Sequence, residues 1–218
     1  MRCLYPMTVG FQADGKTIVW SSRQASKEFA SFQLPCSKCI ECRLEQARAK
    51  AVRCVHEARM HEENSFVTLT YSEEKLESQK LIKEHIQLFN KRLREKYSDR
   101  SIPIVYTGEY GEEKKRPHWH ALIFNWSPDD KVLKYTNHTG DRVYTSSTLG
   151  DLWHYGNSEV GDISFQSAGY VCRYAAKKLV HGKDQDHQYH PIHQFGGRLH
   201  TIGKTFLEKY WPDIFNQG

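Results

Sequence analysis

The chain has 218 residues and a formal net charge of +5, with 39% hydrophobic and 26% charged residues. Five Trp, ten Phe and twelve Tyr are enough bulk to build a core, which excludes an intrinsically disordered chain. No run reaches the roughly eighteen apolar residues of a membrane span, and Met1-Arg2-Cys3-Leu4-Tyr5-Pro6 lacks a signal-peptide apolar stretch; a soluble intracellular protein is expected.

In chain order, residues 1–35 read as irregular and extended, with turns at Asp14-Gly15 and Leu34-Pro35. Ile40, Leu44, Ala47, Ala51, Val55 and Ala58 recur at steps of four and three, which predicts a helix over about 37–62. Phe66 to Tyr71 is β-branched and aromatic and reads as a strand. Ile82, Ile86, Phe89, Leu93 and Tyr97 mark a second helix. Ile102–Tyr110, a charged turn from Glu112 to Arg116, and a strand over 118–126 form a hairpin. A polar stretch, 127–147, precedes a short helix near 147–154. Val160–Phe165 reads as the last clear strand, and Ser167 as the N-cap of a helix from Ala168 to Val180. A terminal helix is expected near 205–210. The order fits an α+β fold: a single antiparallel sheet with helices packed on one face.

The chemistry concentrates in Arg116-Pro117-His118-Trp119-His120-Ala121-Leu122-Ile123. Strand side chains alternate between faces, so His118 and His120 share one face and Trp119 takes the other. Two adjacent imidazoles are ready ligands for a divalent metal, although a surface strand in a chain with 12 histidines is the plainer alternative. The last core helix places Tyr170, Tyr174 and Lys178 on one stripe, with Lys177 alongside. The plain alternative is an amphipathic helix with half-buried tyrosines. Tyrosine is a competent nucleophile toward phosphorus when a cation or metal stabilises its phenolate, so these residues assemble into metal-assisted attack on a phosphodiester. Basic clusters at Lys114, Lys115 and Arg116 and at Arg173, Lys177 and Lys178 suit a nucleic-acid partner, whereas Arg92, Arg94 and Lys96 read better as a solvated face.

Arg116-Pro117-His118-Trp119-His120 followed by Tyr170-x-x-x-Tyr174 resembles the HUH endonucleases, named for histidine, hydrophobic residue, histidine. More narrowly, the chain resembles the replication initiators of gokushovirus-type phages of the Microviridae. That likeness extends over Leu34-Pro35-Cys36-x-x-Cys39-x-x-Cys42-Arg43, Phe66-Val67-Thr68-Leu69-Thr70-Tyr71, Gly108-Glu109-Tyr110-Gly111-Glu112, Phe165-Gln166-Ser167-Ala168 and Ile202-Gly203-Lys204. It implies a rolling-circle initiator of the HUH palm type, in the cytoplasm of an infected bacterium. Such a protein nicks single-stranded origin DNA, keeps the 5′ phosphate on a tyrosine and leaves a 3′ hydroxyl for a host polymerase. Two tyrosines imply alternating attacks, and the strand with Thr-Leu-Thr is implied to floor the site. The chain has no phosphate-binding loop of the Gly-x4-Gly-Lys-Ser/Thr type, so a host helicase is the expected partner for unwinding.

The resemblance also implies a third ligand on a neighbouring strand. Glu109 precedes the turn and faces the histidines across the hairpin; Gln166, Glu112 and Glu113 are alternatives. The N,N,O set suits Mn²⁺ or Mg²⁺. Cys36, Cys39 and Cys42, completed by Cys3, form an expected structural Zn²⁺ site, since Cys54 and His56 lie several turns along the helix; three reduced, part-buried cysteines are the alternative. Cys172 reads as a packing residue. The expected organisation is an N-terminal arm (1–35) tied to the cysteines, an endonuclease core (36–181) and a C-terminal extension (182–218). The rivals are a hydrolase whose histidines activate water, a non-catalytic zinc-containing DNA-binding module, and a relaxase or transposase sharing the chemistry.

Overall fold

The computed structural model describes residues 3–21, 23–111, 115–177, 193–197 and 200–216, apart from the side chains of residues 174–177 and 193. It divides into two compact units, Met1–Gln46 and Ala47–Gly218. In the first, β1 (Met7–Phe11), β2 (Ile18–Val19) and β3 (Phe32–Leu34) pair antiparallel in the order β2-β1-β3. The Asp14 carboxylate accepts hydrogen bonds from the backbone N–H groups of Lys16 and Thr17, both 2.9 Å, which closes the β1–β2 turn. The arm expected to be irregular thus carries a small sheet of its own, and the fold has two sheets rather than one.

The helix α1 (Ile40–Ala58) contains the division, and its residues from Ala47 onward belong to the second unit. That unit is built on seven antiparallel strands: β4 (Asn64–Thr70), β5 (Ile104–Tyr110), β6 (Pro117–Phe124), β7 (Val132–Thr136), β8 (Arg142–Thr145), β9 (Ser158–Gly161) and β10 (His193–Phe195). Their order is β10-β5-β6-β4-β9-β8-β7. The helices are α2 (Lys83–Lys96), α3 (Ser147–Trp153), α4 (Phe165–Lys177) and α5 (Lys204–Phe215). Among the described residues, no helix is long and apolar enough to cross a membrane.

Side-chain alternation explains the layering. Val67 and Leu69 of β4, Ile104 and Tyr106 of β5, and Trp119, Ala121 and Ile123 of β6 pack with Ile86, Phe89 and Leu93 of α2 and Leu149, Leu152 and Trp153 of α3. On the opposite face Val105, Leu122 and Phe124 pack with Ala47, Ala51 and Cys54 of α1 and Ala168, Val171 and Cys172 of α4. Helices therefore cover both faces, not the one expected, because β6 is apolar on both sides beyond His120. Gly108 sits opposite Trp119 in the β5–β6 register. A β-carbon there would lie 2.7 Å from the indole, so the indole can cross the backbone of β5 only because the residue is glycine.

Two boundaries differ from expectation. The polar stretch 127–147 forms the β7–β8 hairpin; every residue of β7 is exposed, so no period-two pattern was available to mark it. The strand expected to run to Phe165 stops at Gly161, and α4 starts at Phe165. There the Ser164 hydroxyl accepts from the Ser167 N–H at 3.1 Å and the Ser167 hydroxyl accepts from the Ser164 N–H at 2.8 Å. That reciprocal pair is a capping box, with Ser164 as the cap and Ser167 inside the first turn.

Candidate active site

β5 and β6 pair so that Glu109 lies opposite His118 and Thr107 opposite His120; β4 places Thr68 on the other side of His120. All of these residues project from the α1/α4 face. Glu109 Oε1 lies 2.7 Å from His118 Nε2 and 3.0 Å from His120 Nε2, and the Tyr170 hydroxyl donates to the same oxygen at 2.5 Å. The Tyr170 ring meets the His120 ring edge-on, centroids 5.0 Å apart, so α4 delivers this tyrosine directly onto the histidines. Glu109 and His120 are buried, at 4% and 7% exposure, and His118 is half-buried. Burial alone would raise the Glu109 carboxyl, but hydrogen bonds to His118 and His120, the His120 charge and the Tyr170 hydroxyl outweigh it and hold the carboxyl at about 2. Burial lowers the His120 imidazole, which favours its neutral, ligating form.

Several features fit this trio to a divalent metal. One ligand atom from each of Glu109, His118 and His120 falls within 4.8 Å of the others. Glu109 Oε2 is buried without a hydrogen-bond partner among the described residues, as is the hydroxyl of Thr107 opposite His120. The outer nitrogens of both rings are occupied: His118 Nδ1 lies 3.1 Å from the Arg116 carbonyl and His120 Nδ1 lies 3.0 Å from the Thr68 hydroxyl. With the proton on each Nδ1, both Nε2 lone pairs face the carboxylate, the arrangement in which outer hydrogen bonds orient ligating histidines. Thr68 is the partner that residue reasoning missed; its signal was the polar member at the centre of an alternating strand.

The reverse face holds the motif in place. Trp119 Nε1–H donates to the Tyr71 hydroxyl at 3.0 Å, and that hydroxyl shares a further hydrogen bond with His85 Nδ1 at 3.2 Å. Burial pushes the Tyr71 phenol up to about 12, so it stays a neutral hydrogen-bonding group. Arg116 donates to the Tyr71 carbonyl at 2.8 Å and pairs with Glu73.

The α4 backbone continues through Tyr174 and Lys177, but their side chains, like all of Lys178, lie outside the described residues. Glu112 and Glu113 also lie outside them. Gln166 is exposed in the first turn of α4 and lines a neighbouring cavity. Cys172 is fully buried beside Val171 and Ala168.

In the first unit, the sulfurs of Cys3, Cys36, Cys39 and Cys42 all lie within 4.8 Å of one another. Cys3 Sγ and Cys39 Sγ are 3.9 Å apart, close to the edge of about 3.8 Å that Zn–S bonds of about 2.3 Å give a tetrahedron. Backbone N–H groups donate to two of the sulfurs, from Cys36 to Cys3 at 3.2 Å and from Cys39 to Cys36 at 3.3 Å. The N–H of Cys42, then that of Leu4, lowers the Cys39 thiol to about 6, which favours a thiolate.

No solved structure matches the chain. Among curated proteins it is 51% identical over 225 residues to the replication-associated protein VP4 of Bdellovibrio phage phiMH2K, covering all of this chain and 71% of that one. It is 40% identical over 168 residues to the replication-associated protein ORF4 of Chlamydia phage 1, covering 73% of this chain and 42% of that one. It is 36% identical over 198 residues to the replication-associated protein ORF2 of Spiroplasma virus 4, covering 82% and 62% respectively. The family model for replication-associated proteins of the ORF2 type matches residues 64–179, the stretch that carries Glu109, His118, His120 and Tyr170, and the chain belongs to that family of replication-associated proteins.

Proposed function

We propose that the chain is a replication initiator that nicks one strand of origin DNA, with Tyr170 as a nucleophile and Glu109, His118 and His120 as the ligands of a divalent metal. Both imidazole Nε2 atoms and the Tyr170 hydroxyl converge on one buried carboxylate oxygen, and that convergence supports the proposal. A bound Mn²⁺ or Mg²⁺ supplies positive charge that makes the phosphorus more electrophilic and the phenol easier to ionise.

The protein's own groups set the geometry and the proton path. Glu109 is ionised at neutral pH, and its Oε1 holds the phenolic proton of Tyr170 in a short hydrogen bond, which aims the phenol oxygen into the site. The Tyr170 oxygen attacks phosphorus, giving up its proton through Glu109 to solvent. The bond from phosphorus to the 3′ oxygen breaks, and that oxygen takes up a proton and leaves as a 3′ hydroxyl. A 5′-phosphotyrosine link remains; attack by a 3′ hydroxyl reverses it and rejoins the strand. In the same proposal Tyr174, one helical turn onward, is the second nucleophile, and Lys177 and Lys178 stabilise developing negative charge. A host polymerase extends the 3′ end and a host helicase opens the duplex, inside the infected cell. The four cysteines hold a structural zinc ion that fixes the first unit.

Incubation with origin-like single-stranded DNA and Mn²⁺ is expected to yield a detergent-stable protein–DNA adduct at the new 5′ end. Cleaved but unattached fragments alone would overturn the tyrosine mechanism and favour water activation. Tyr170→Phe is expected to abolish the adduct formed at that residue, and comparison with Tyr174→Phe separates initiation from strand transfer. Zinc bound at one ion per chain, lost on Cys39→Ser, is the expected result of metal analysis.

A further inference from the structure

A cavity of about 560 Å³ opens directly beside the catalytic cluster, with His120 and Tyr170 in its wall. One side is the β7–β8 hairpin and the other is the β9–α4 junction. Its volume falls in the ~300–1,000 Å³ range of small-ligand sites. Nothing in the phosphoryl-transfer proposal uses it.

The lining selects among ligands. Phe66, stacked on His120 with centroids 5.6 Å apart and rings 13° from parallel, gives it an aromatic wall, and Tyr144 gives it a second ring. Asp141 and Asp162 place two carboxylates in the lining against the single guanidinium of Arg142. That balance repels a phosphate and suits a neutral, flat, hydrogen-bonding group. The side chain of Arg142 is exposed and makes no hydrogen bond or ion pair to any described residue. The turn that presents it is already internally satisfied: the Asn137 side-chain oxygen accepts from the N–H groups of Thr139 at 3.0 Å and Asp141 at 2.8 Å, and its amide donates to Asp141 at 3.1 Å. Arg142 is thus offered from a rigid turn with its donors unspent.

We propose that this cavity is a nucleobase subsite, taking the base next to the scissile phosphate, and that Arg142 reads that base as guanine. The proposal rests on the nicking function, since the base reaches the cavity only if the phosphate lies at Tyr170. A guanidinium fork matches the O6 and N7 acceptors of guanine, and the aromatic wall supplies the stacking that every base accepts. The β7–β8 hairpin then acts as the specificity element of the initiator.

The test is selection, in EDTA, of a randomised single-stranded DNA pool by the full chain, followed by sequencing. Wild type is expected to enrich guanine at one position by roughly ten- to a hundredfold over other bases. Arg142→Lys keeps the charge and loses the fork, and is expected to lose the preference at that position while preferences elsewhere persist. Because the residue is exposed, the substitution leaves the fold intact. No positional preference in wild type, or an unchanged guanine preference in Arg142→Lys, overturns the subsite. The recovered pool is then given Mn²⁺. Guanine-enriched oligonucleotides that form no protein adduct overturn the nicking function and leave the subsite standing, whereas adducts with an unaltered preference in Arg142→Lys do the reverse.

Discussion

The two faces of β6 do different work with alternate residues of one strand. His118 and His120 face Glu109, Thr68 and Tyr170, a small polar cluster in which one carboxylate oxygen is contacted from three directions. Trp119, Ala121 and Ile123 face an aromatic wall with Trp153, Phe89 and Tyr106, held by the hydrogen bond from Trp119 to Tyr71. The polar face carries the chemistry and leaves buried atoms unsatisfied; the apolar face carries the stability and leaves none of its large side chains exposed. A strand can serve both ends because a step of one residue changes the environment completely.

Four changes test that division, from the largest effect to the smallest. Removing both imidazoles with His118→Ala and His120→Ala is expected to cut adduct formation by about a thousandfold or more, with near-native circular dichroism. Retained cleavage would move the chemistry off this face. On the other face, Trp119→Ala is expected to cost about 3–5 kcal/mol of stability in denaturant unfolding, the usual cost of emptying a large aromatic site. Thr68→Val removes the hydroxyl that orients His120; it is expected to weaken Mn²⁺ binding by ~10–100-fold in a calorimetric titration while leaving unfolding nearly unchanged.

The fourth change concerns the helix that covers the polar face. Glu57 of α1 is fully buried and accepts from the Gly203 N–H at 2.6 Å, with His200 at 2.7 Å and His61 at 3.0 Å. Burial would raise its carboxyl, but these partners together bring it below its ordinary 4.5. A carboxyl depressed on folding adds stability that is fully present above its unfolded value and is lost as pH falls through the folded value. Thermal unfolding of the wild type is therefore expected to weaken more steeply below about pH 4.5 than that of Glu57→Gln, which itself costs about 1–3 kcal/mol at neutral pH. Parallel pH profiles would remove Glu57 from the account.

What the sequence made legible were the features set by local period and turn length. The step of two between His118 and His120 assigned their face, and the short charged turn after Tyr110 brought Glu109 across the hairpin to meet them. The bond from Thr68 to His120 joins residues 52 apart in the chain and depends on which strand neighbours β6, which no local pattern states. The β7–β8 hairpin stayed hidden for a different reason: with no buried side on β7, its residues carry no alternation. The start of α4 turned on which of two serines, Ser164 or Ser167, closes the helix, and each is a competent cap.

Gly108 gives the division between the faces a mechanical meaning. It has no side chain to contribute, yet the carboxylate of the next residue and both histidines depend on the clearance it leaves for Trp119. A single added methyl would press on the indole from behind, and β6, stiff and paired on both edges, would pass that displacement to His118 and His120 as a tilt. The alignment tolerance of the site is thus set on the side of the sheet that substrate never visits.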